Sequence, residues 1–285
     1  MSNLSNNFNQ FKLYIPILII VFNRPELTKK LIDSIRPYKP RKIYIAADGP
    51  RNEKDLILCN KVKEIFKESI NWKCEIKEKY QEKNTGLKLN INNGLSWFFE
   101  NEEMGIILED DCEVNKSFFI FCNELLHKYK DDNKIKVISG NFYFNNKIKN
   151  SYYFSICPGT HGWATWKRVW NEHDVNMSQW SNTRDFFWLL FFFRFNFVKA
   201  HYFFDKFRLS KKSIINSWDY QLLYSIWKNN GLIIRPFTSL CKHIGWGDSA
   251  THSKGKDQHP DVMIEEIEFP LIHPKKYKIN SKYDN

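Results

Sequence analysis

The chain has 285 residues, with 43 Lys+Arg against 32 Asp+Glu and a formal net charge of +11 at pH 7. With 42% hydrophobic residues, including 24 Phe, 13 Tyr and 10 Trp, it can bury an ordinary core, which excludes intrinsic disorder for its bulk. Its lysines are spread along the chain with no tract of five or more basic residues and no zinc-finger, RNA-recognition or basic-zipper pattern. The positive charge therefore points away from nucleic acid, towards a phosphate-rich ligand or an anionic membrane face.

Residues 1–10 are polar, and the apolar run 15–22 lacks both a basic leader and a small-residue cleavage site, so no signal peptide is expected. Six cysteines without a C-x-x-C pair read as reduced, mostly buried thiols of a cytoplasmic protein. The run 15–22 is continuous enough for a strand covered on both faces of a parallel sheet. Asn23-Arg24-Pro25 ends it, and Pro25 suits the first position of a helix reaching Arg36, where Pro37 and Pro40 stop it. Residues 42–47 read as a second strand closed by the turn Asp48-Gly49-Pro50.

A helix over 53–69 and a strand over 73–80 follow. The turn Asn84-Thr85-Gly86 then opens a helix with Leu87, Ile91, Leu95 and Phe98 at helical spacing. Residues 104–108 form a fourth strand running into Glu109-Asp110-Asp111. These intervals fit consecutive βαβ units, and so an α/β fold with a mostly parallel, Rossmann-like sheet that binds ligands beyond its carboxyl strand ends.

The second half is crowded with aromatic residues. Its apolar run 186–193 is far short of the ~18 residues a membrane span needs, leaving a core helix or an interfacial helix touching lipid. Ser217-Trp218-Asp219 opens a helix with Leu222, Leu223, Ile226 and Trp227 on one face, closing at Asn230-Gly231. A short strand at 232–235 precedes the Gly-rich stretch 241–253, which reads as a loop. One domain is expected over 1–285, with a nucleotide-sugar-binding half at about 13–140, an acceptor-side half at about 141–275, and flexible tails at 1–12 and 276–285.

Neither G-x-G-x-x-G after the first strand nor G-x-x-x-x-G-K-[ST] is present, so a nucleotide must be held in another way. Three adjacent carboxylates at a strand end repel one another, and a site that keeps them together usually holds a cation. A solvated acidic turn is the alternative, but the position at the mouth of a parallel sheet favours Mg²⁺ or Mn²⁺ bridging a donor diphosphate. Asp219, in a first helical turn, reads either as a plain cap or as an ionised general base. Trp163 and Trp246 sit beside glycines and suit either a sugar-stacking surface or the core. The backbone of Asn84-Thr85-Gly86 either presents N–H groups to phosphate or forms an ordinary N-cap turn.

Seven motifs together carry a resemblance. They are Val21-Phe-Asn-Arg-Pro25, Ala47-Asp-Gly-Pro-Arg51, Asn84-Thr-Gly86, Leu108-Glu-Asp-Asp111, His161-Gly-Trp-Ala-Thr-Trp166, Ser217-Trp-Asp219 and Ile244-Gly-Trp-Gly-Asp-Ser-Ala-Thr-His-Ser253. In order, they span about residues 15–273. The chain resembles a glycosyltransferase of the GT-A fold, specifically the bacterial nucleotide-diphospho-sugar transferases related to the eukaryotic type I N-acetylglucosaminyltransferase.

That resemblance implies a metal-dependent, inverting transfer from a UDP-linked or other nucleotide-diphosphate sugar to a glycan or lipid-linked acceptor, in surface polysaccharide or glycolipid synthesis. By it, Phe22, Asn23, Arg24, Asn84 and Gly86 serve the donor, Asp48 meets the uracil or ribose, and Asp110 lies nearer the ribose. Asp111 and His252 hold the Mn²⁺ or Mg²⁺, Asp219 is the base, and His161, Trp163 and Trp246 face the sugar or acceptor. The chain departs from the family in its unusually aromatic segment 186–204, which raises a lipid-linked acceptor and a peripheral contact with anionic membrane. It also carries Gly247-Asp248-Ser249 where a more acidic stretch is expected. Two rivals remain: a sugar nucleotidyltransferase, disfavoured by the absence of a Gly-rich basic loop after the first strand, and a non-catalytic membrane-surface or glycan-binding protein.

Overall fold

The computed structural model describes residues 13–142, 150–157, 159–247 and 262–280. In β1 (Ile17–Val21) every residue is buried, because the strand is covered on both faces. Pro25 opens α1 (Pro25–Ile35), its fixed φ and missing N–H costing nothing in a first turn. There follow β2 (Lys42–Ala47), α2 (Glu53–Ser69) and β3 (Glu75–Tyr80). The side chain of Asn52 caps α2 by accepting from the Asp55 N–H at 2.9 Å.

Next come α3 (Leu87–Asn101), β4 (Met104–Glu109), β5 (Cys112–Val114) and α4 (Lys116–Lys128). The second half supplies β6 (Ile135–Ser139), β7 (Tyr152–Ser155), β8 (Trp163–Trp166), α5 (Lys167–Trp170), α6 (Asn182–Phe192) and α7 (Phe197–Lys211). The described elements end with α8 (Asp219–Lys228), β9 (Leu232–Pro236) and β10 (Cys241–His243).

The main sheet has the order β3-β2-β1-β4-β8-β6-β9-β7. β1 pairs in parallel with β2 and β4, β2 with β3, and β6 with β9, whereas β8 and β7 run against their neighbours. The expected mostly parallel α/β architecture is therefore present, with helices on both faces. Alternation along β1 sends Ile17, Ile19 and Val21 into a core shared with α1, α2 and α4. Leu18 and Ile20 point into the other core, with α3, α6, α7 and α8.

Strands β5 and β10 pair in a separate antiparallel ribbon, with His243 opposite Cys112. Residues 241–243 thus form a strand, although they open the stretch 241–253 expected to be a loop. Likewise Trp163 opens a strand instead of lying in a loop. Residues 276–280 are not a loose tail: Asn280 N–H donates to the Phe154 carbonyl at 3.1 Å, and the Tyr277 hydroxyl donates to Asp132. All six cysteines are unpaired, and Cys59, Cys112, Cys122 and Cys241 are buried, as expected of reduced thiols.

Candidate active site

The carboxyl ends of β1, β2 and β4 meet at one edge of the sheet. The parallel register sets Ile20 beside Glu109, and the Asp110 N–H donates to the Ile20 carbonyl at 3.2 Å. The chain leaving β1 therefore delivers Arg24 to the acidic triplet. Arg24 Nε lies 3.1 Å from Asp110 Oδ2, its Nη2 also bonds Asp110 Oδ1, and Nη2 reaches Asp111 Oδ2 at 2.9 Å. Part of the cationic charge demanded by three adjacent carboxylates thus comes from within the protein. Arg24, expected against the nucleotide, grips the acids, and Asp110, expected nearer the ribose, is buried with both oxygens on Arg24.

Environment separates the three acids. Desolvation, followed by the charges of Asp111 and Asp110, pushes Glu109 well above the usual carboxylate range; the field of Asp219 adds to this. Burial lifts Asp110 to about 6 against the pull of Arg24. At Asp111 burial pushes upwards too, but the bond with His243 and the charge of Arg24 outweigh it and hold the carboxyl at about 2. Asp111 is thus the most firmly ionised member and the best anionic ligand of the three.

His243 enters from the β5–β10 ribbon, its Nε2 3.3 Å from Asp111 Oδ2. Its other ring nitrogen, Nδ1, is buried and without a hydrogen-bond partner, an unmet donor or acceptor position. The His161 ring lies 4.5 Å from that of His243, and Trp246 stands edge-on to His243 at 5.1 Å. Burial, reinforced by the nearby His243, lowers His161 to about 4, so its imidazole is neutral at neutral pH. A carboxylate beside imidazole nitrogens is a mixed oxygen and nitrogen donor set, which fits Mn²⁺ better than Mg²⁺. Among the described residues no group of three or more His, Cys, Asp or Glu side chains already has metal-holding geometry. His252, expected as the metal histidine, lies outside the described residues, as do Asp248 and Ser249.

The ribbon is held close by Gly245. A Cβ there would lie 2.5 Å from Asp111 Cβ and 2.7 Å from Asp111 Oδ2, so only glycine lets this backbone close over the acid. The Ile244 N–H then donates to the Asp111 carbonyl at 2.8 Å.

Asp48, at the end of β2, has a structural task. Its carboxylate accepts from the backbone N–H groups of Gly49 (2.9 Å), Thr85 (2.8 Å) and Gly86 (3.0 Å), and from Asn84 Nδ2 (2.9 Å). The N–H groups of Thr85 and Gly86, which the sequence leaves either to phosphate or to an ordinary helix-start turn, are spent on Asp48, which ties the start of α3 to the sheet. Asn23 is similarly engaged, donating to Asp55 Oδ1 at 2.7 Å. Arg51 Nε donates to Asp55 Oδ2 at 2.6 Å, and this bond chiefly holds Asp55 at about 2. The exposed guanidinium of Arg51 also covers the Phe22 ring at 5.1 Å. Arg51 and Asp55 carry no role in the sequence reading, although Arg51 closes one of its motifs.

Asp219 begins α8 and accepts a hydrogen bond from the Ser217 hydroxyl. Because α8 leads into β9, which runs parallel to β6 and so in the same sense as β4, Asp219 starts its helix at the carboxyl edge of the sheet, where its charge adds to the upward push on Glu109. Trp163, in contrast, is 1% exposed and stacked on Trp218 at 5.6 Å, which places it in the core, the second of the two readings its sequence allows. Of the three proposed acceptor-facing side chains, His161 and Trp246 are therefore gathered around His243, and Trp163 is not.

No family model and no curated protein matches the chain. Among solved structures it is similar to a 4-diphosphocytidyl-2C-methyl-D-erythritol synthase from Anaerococcus prevotii, at 14% identity over 56% of this chain and 74% of that one, with a TM-score of 0.37. It is also similar to a UDP-glucose pyrophosphorylase complexed with UDP-glucose, at 10% identity over 56% and 79% with a TM-score of 0.33. HddC from Yersinia pseudotuberculosis follows at 9% identity over 56% and 80%, with a TM-score of 0.35. These likenesses concern a Rossmann-like layout of strands and carry no conclusion about chemistry.

Proposed function

We propose that the chain is a GT-A type glycosyltransferase that moves a sugar from a nucleotide-diphosphate donor, UDP-linked, to a glycan or lipid-linked acceptor with inversion. The supporting observation is the convergence of an ionised Asp111, a half-satisfied His243 and Asp219 at the carboxyl ends of a mostly parallel sheet.

In this reading the acceptor hydroxyl attacks the anomeric carbon, the carbon–oxygen bond to the diphosphate breaks, and the hydroxyl proton passes to the Asp219 carboxylate. Asp111 and His243 would hold a Mn²⁺, which when bound neutralises charge on the departing diphosphate. Arg24 keeps the triplet compact before the donor arrives. Arg51 presents its cation above Phe22 on the β1 and β2 side of the site, where the donor's nucleotide would lie, while Asp48 and Asn23 shape that side without touching it. A place in surface polysaccharide or glycolipid synthesis is part of the same proposal.

Calorimetric titration of UDP with and without Mn²⁺ tests the donor site. Binding that needs the metal and is lost in Asp111→Ala is the expected result, while Asp219→Asn should bind UDP normally and lose transfer. Absence of binding to UDP, GDP and dTDP would sink the donor site and favour a non-catalytic binding protein. Release of pyrophosphate from a nucleoside triphosphate and a sugar 1-phosphate would instead establish nucleotidyl transfer.

A further inference from the structure

Helices α6 and α7 form a hairpin whose aromatic residues divide into two sets. Phe186, Trp188, Phe192, Phe193, Phe203 and Phe204 pack against the core that α8 shares. Phe187, Phe191, Phe195, Phe197, Val198 and Tyr202 point outward, between 51% and 81% exposed. Phe187 and Phe191 are one helical turn apart on α6, and Phe191 meets Phe195 at 5.1 Å between ring centres. Phe187, Phe191 and Phe195 thus form one exposed run up to the turn, and Phe197 and Val198 continue the exposed apolar sequence beyond it. A run of large apolar side chains exposed at one turn is uncommon on a protein that meets only water.

The backbone of that turn is also unusual. Arg194 and Phe195 adopt φ of 51° and 63°, left-handed conformations that a bulky side chain rarely occupies. The Phe195 N–H bonds the Leu190 carbonyl at 2.7 Å, and the Asn196 side chain caps α7 by accepting from the Lys199 N–H at 3.0 Å. Glycine or asparagine would fit position 195 with less strain. A phenylalanine there, turned into solvent, contributes nothing to the core in exchange for that strain.

Charge identifies the occupant. Residues 182–214 carry seven Lys and Arg against two Asp. Both acids are already engaged, Asp185 with Arg184 and Lys228, and Asp205 with Arg208. Arg194 sits within the apolar turn, Lys199 lies in the first turn of α7, and Lys206 covers Tyr202 further along the helix. A second copy of the chain seated on this patch would bring two cationic rims together, whereas an anionic lipid surface complements both the rings and the charge.

We propose that the α6–α7 turn is a membrane-docking element, inserting Phe191, Phe195 and Phe197 among the headgroups of an anionic bilayer while the surrounding Lys and Arg side chains bind lipid phosphates. Tyr202, at the border of the patch, contacts Tyr220, the neighbour of Asp219, and Lys206 lies over both rings at 5.2 and 5.9 Å. Docking would therefore bring the lipid surface to the side of the molecule that carries Asp219. This proposal stands independently of the donor chemistry.

Flotation of the full chain with phosphatidylcholine vesicles, with and without phosphatidylglycerol, tests it. Binding is expected to the anionic vesicles only, weakened about tenfold by high salt. The triple substitution Phe191→Ser, Phe195→Ser and Phe197→Ser should lower it at least about tenfold with UDP binding unchanged. Phe195→Asn is the sharper variant, expected to raise Tm by relieving the turn while weakening vesicle binding. The proposal is overturned by any of three results: failure of the wild type to float with anionic vesicles at low salt, undiminished flotation of the triple variant, or a micromolar dimer that the triple substitution abolishes.

Discussion

At the scale of single residues, the site depends on how closely one backbone can approach one carboxylate. Gly245→Ala places a methyl group within 2.7 Å of the Asp111 side chain, so either the ribbon or the acid must move. We expect at least a tenfold loss of Mn²⁺-dependent UDP binding, by calorimetry, with a stability loss of about 2 kcal/mol in urea denaturation. Asp111 was legible in the sequence because three carboxylates ending an apolar strand need a cation. Its partner His243 was not, since a lone histidine before a Gly-rich stretch carries no local signal. Trp163 misled for a related reason: Gly159 and Gly162 just before it suggest an open loop, but Gly162 takes a positive φ of 62° at the entrance to a buried strand.

At the scale of elements, the four strands of the first half could be read directly, because each is a run of apolar residues ending in turn chemistry. β3 is the exception in composition, alternating Glu and Lys along EIKEKY, which is how an edge strand discourages pairing with another chain. The short strands β5 and β10 escaped notice because three residues give no measurable period, and their pairing is set by tertiary contact. β6 carries a buried cation whose partner lies outside the sheet: Lys136 Nζ is 2.6 Å from Glu172 Oε2 just beyond α5. Glu172→Gln would leave that ammonium buried without a counter-charge. A loss of about 3 kcal/mol in denaturant unfolding is expected, at the lower end for broken buried pairs because Glu172 is partly exposed. Glu172→Ala and Lys136→Met combined should recover part of it.

At the scale of the whole molecule, acid sensitivity should come from buried histidines as well as carboxylates. His173 stacks on Trp170 at 4.4 Å with its Nδ1 unpartnered, and burial lowers it to about 4. The unfolded chain takes up a proton near pH 6.5 that the native state refuses until about pH 4. Stability from this group is therefore complete above pH 6.5, falls between 6.5 and about 4, and changes no further below. Thermal unfolding followed across that interval should show a shallower slope in His173→Gln than in the wild type. A wild-type slope that the substitution leaves unaltered would mean that His173 titrates normally in the fold.

The union of Asp111 with His243 also bears on biosynthesis. The two residues belong to opposite halves of the chain, and the ribbon that joins them has its second strand among the last elements. A ribosome-bound chain that has emerged through β4 already displays the acid triplet, but its histidine partner does not yet exist. A metal site built on Asp111 and His243, as proposed, would therefore ripen late, after the sheet has closed around β8 and β9. A nascent or truncated chain would be a poor chelator, and Mn²⁺ capture would report that folding is complete.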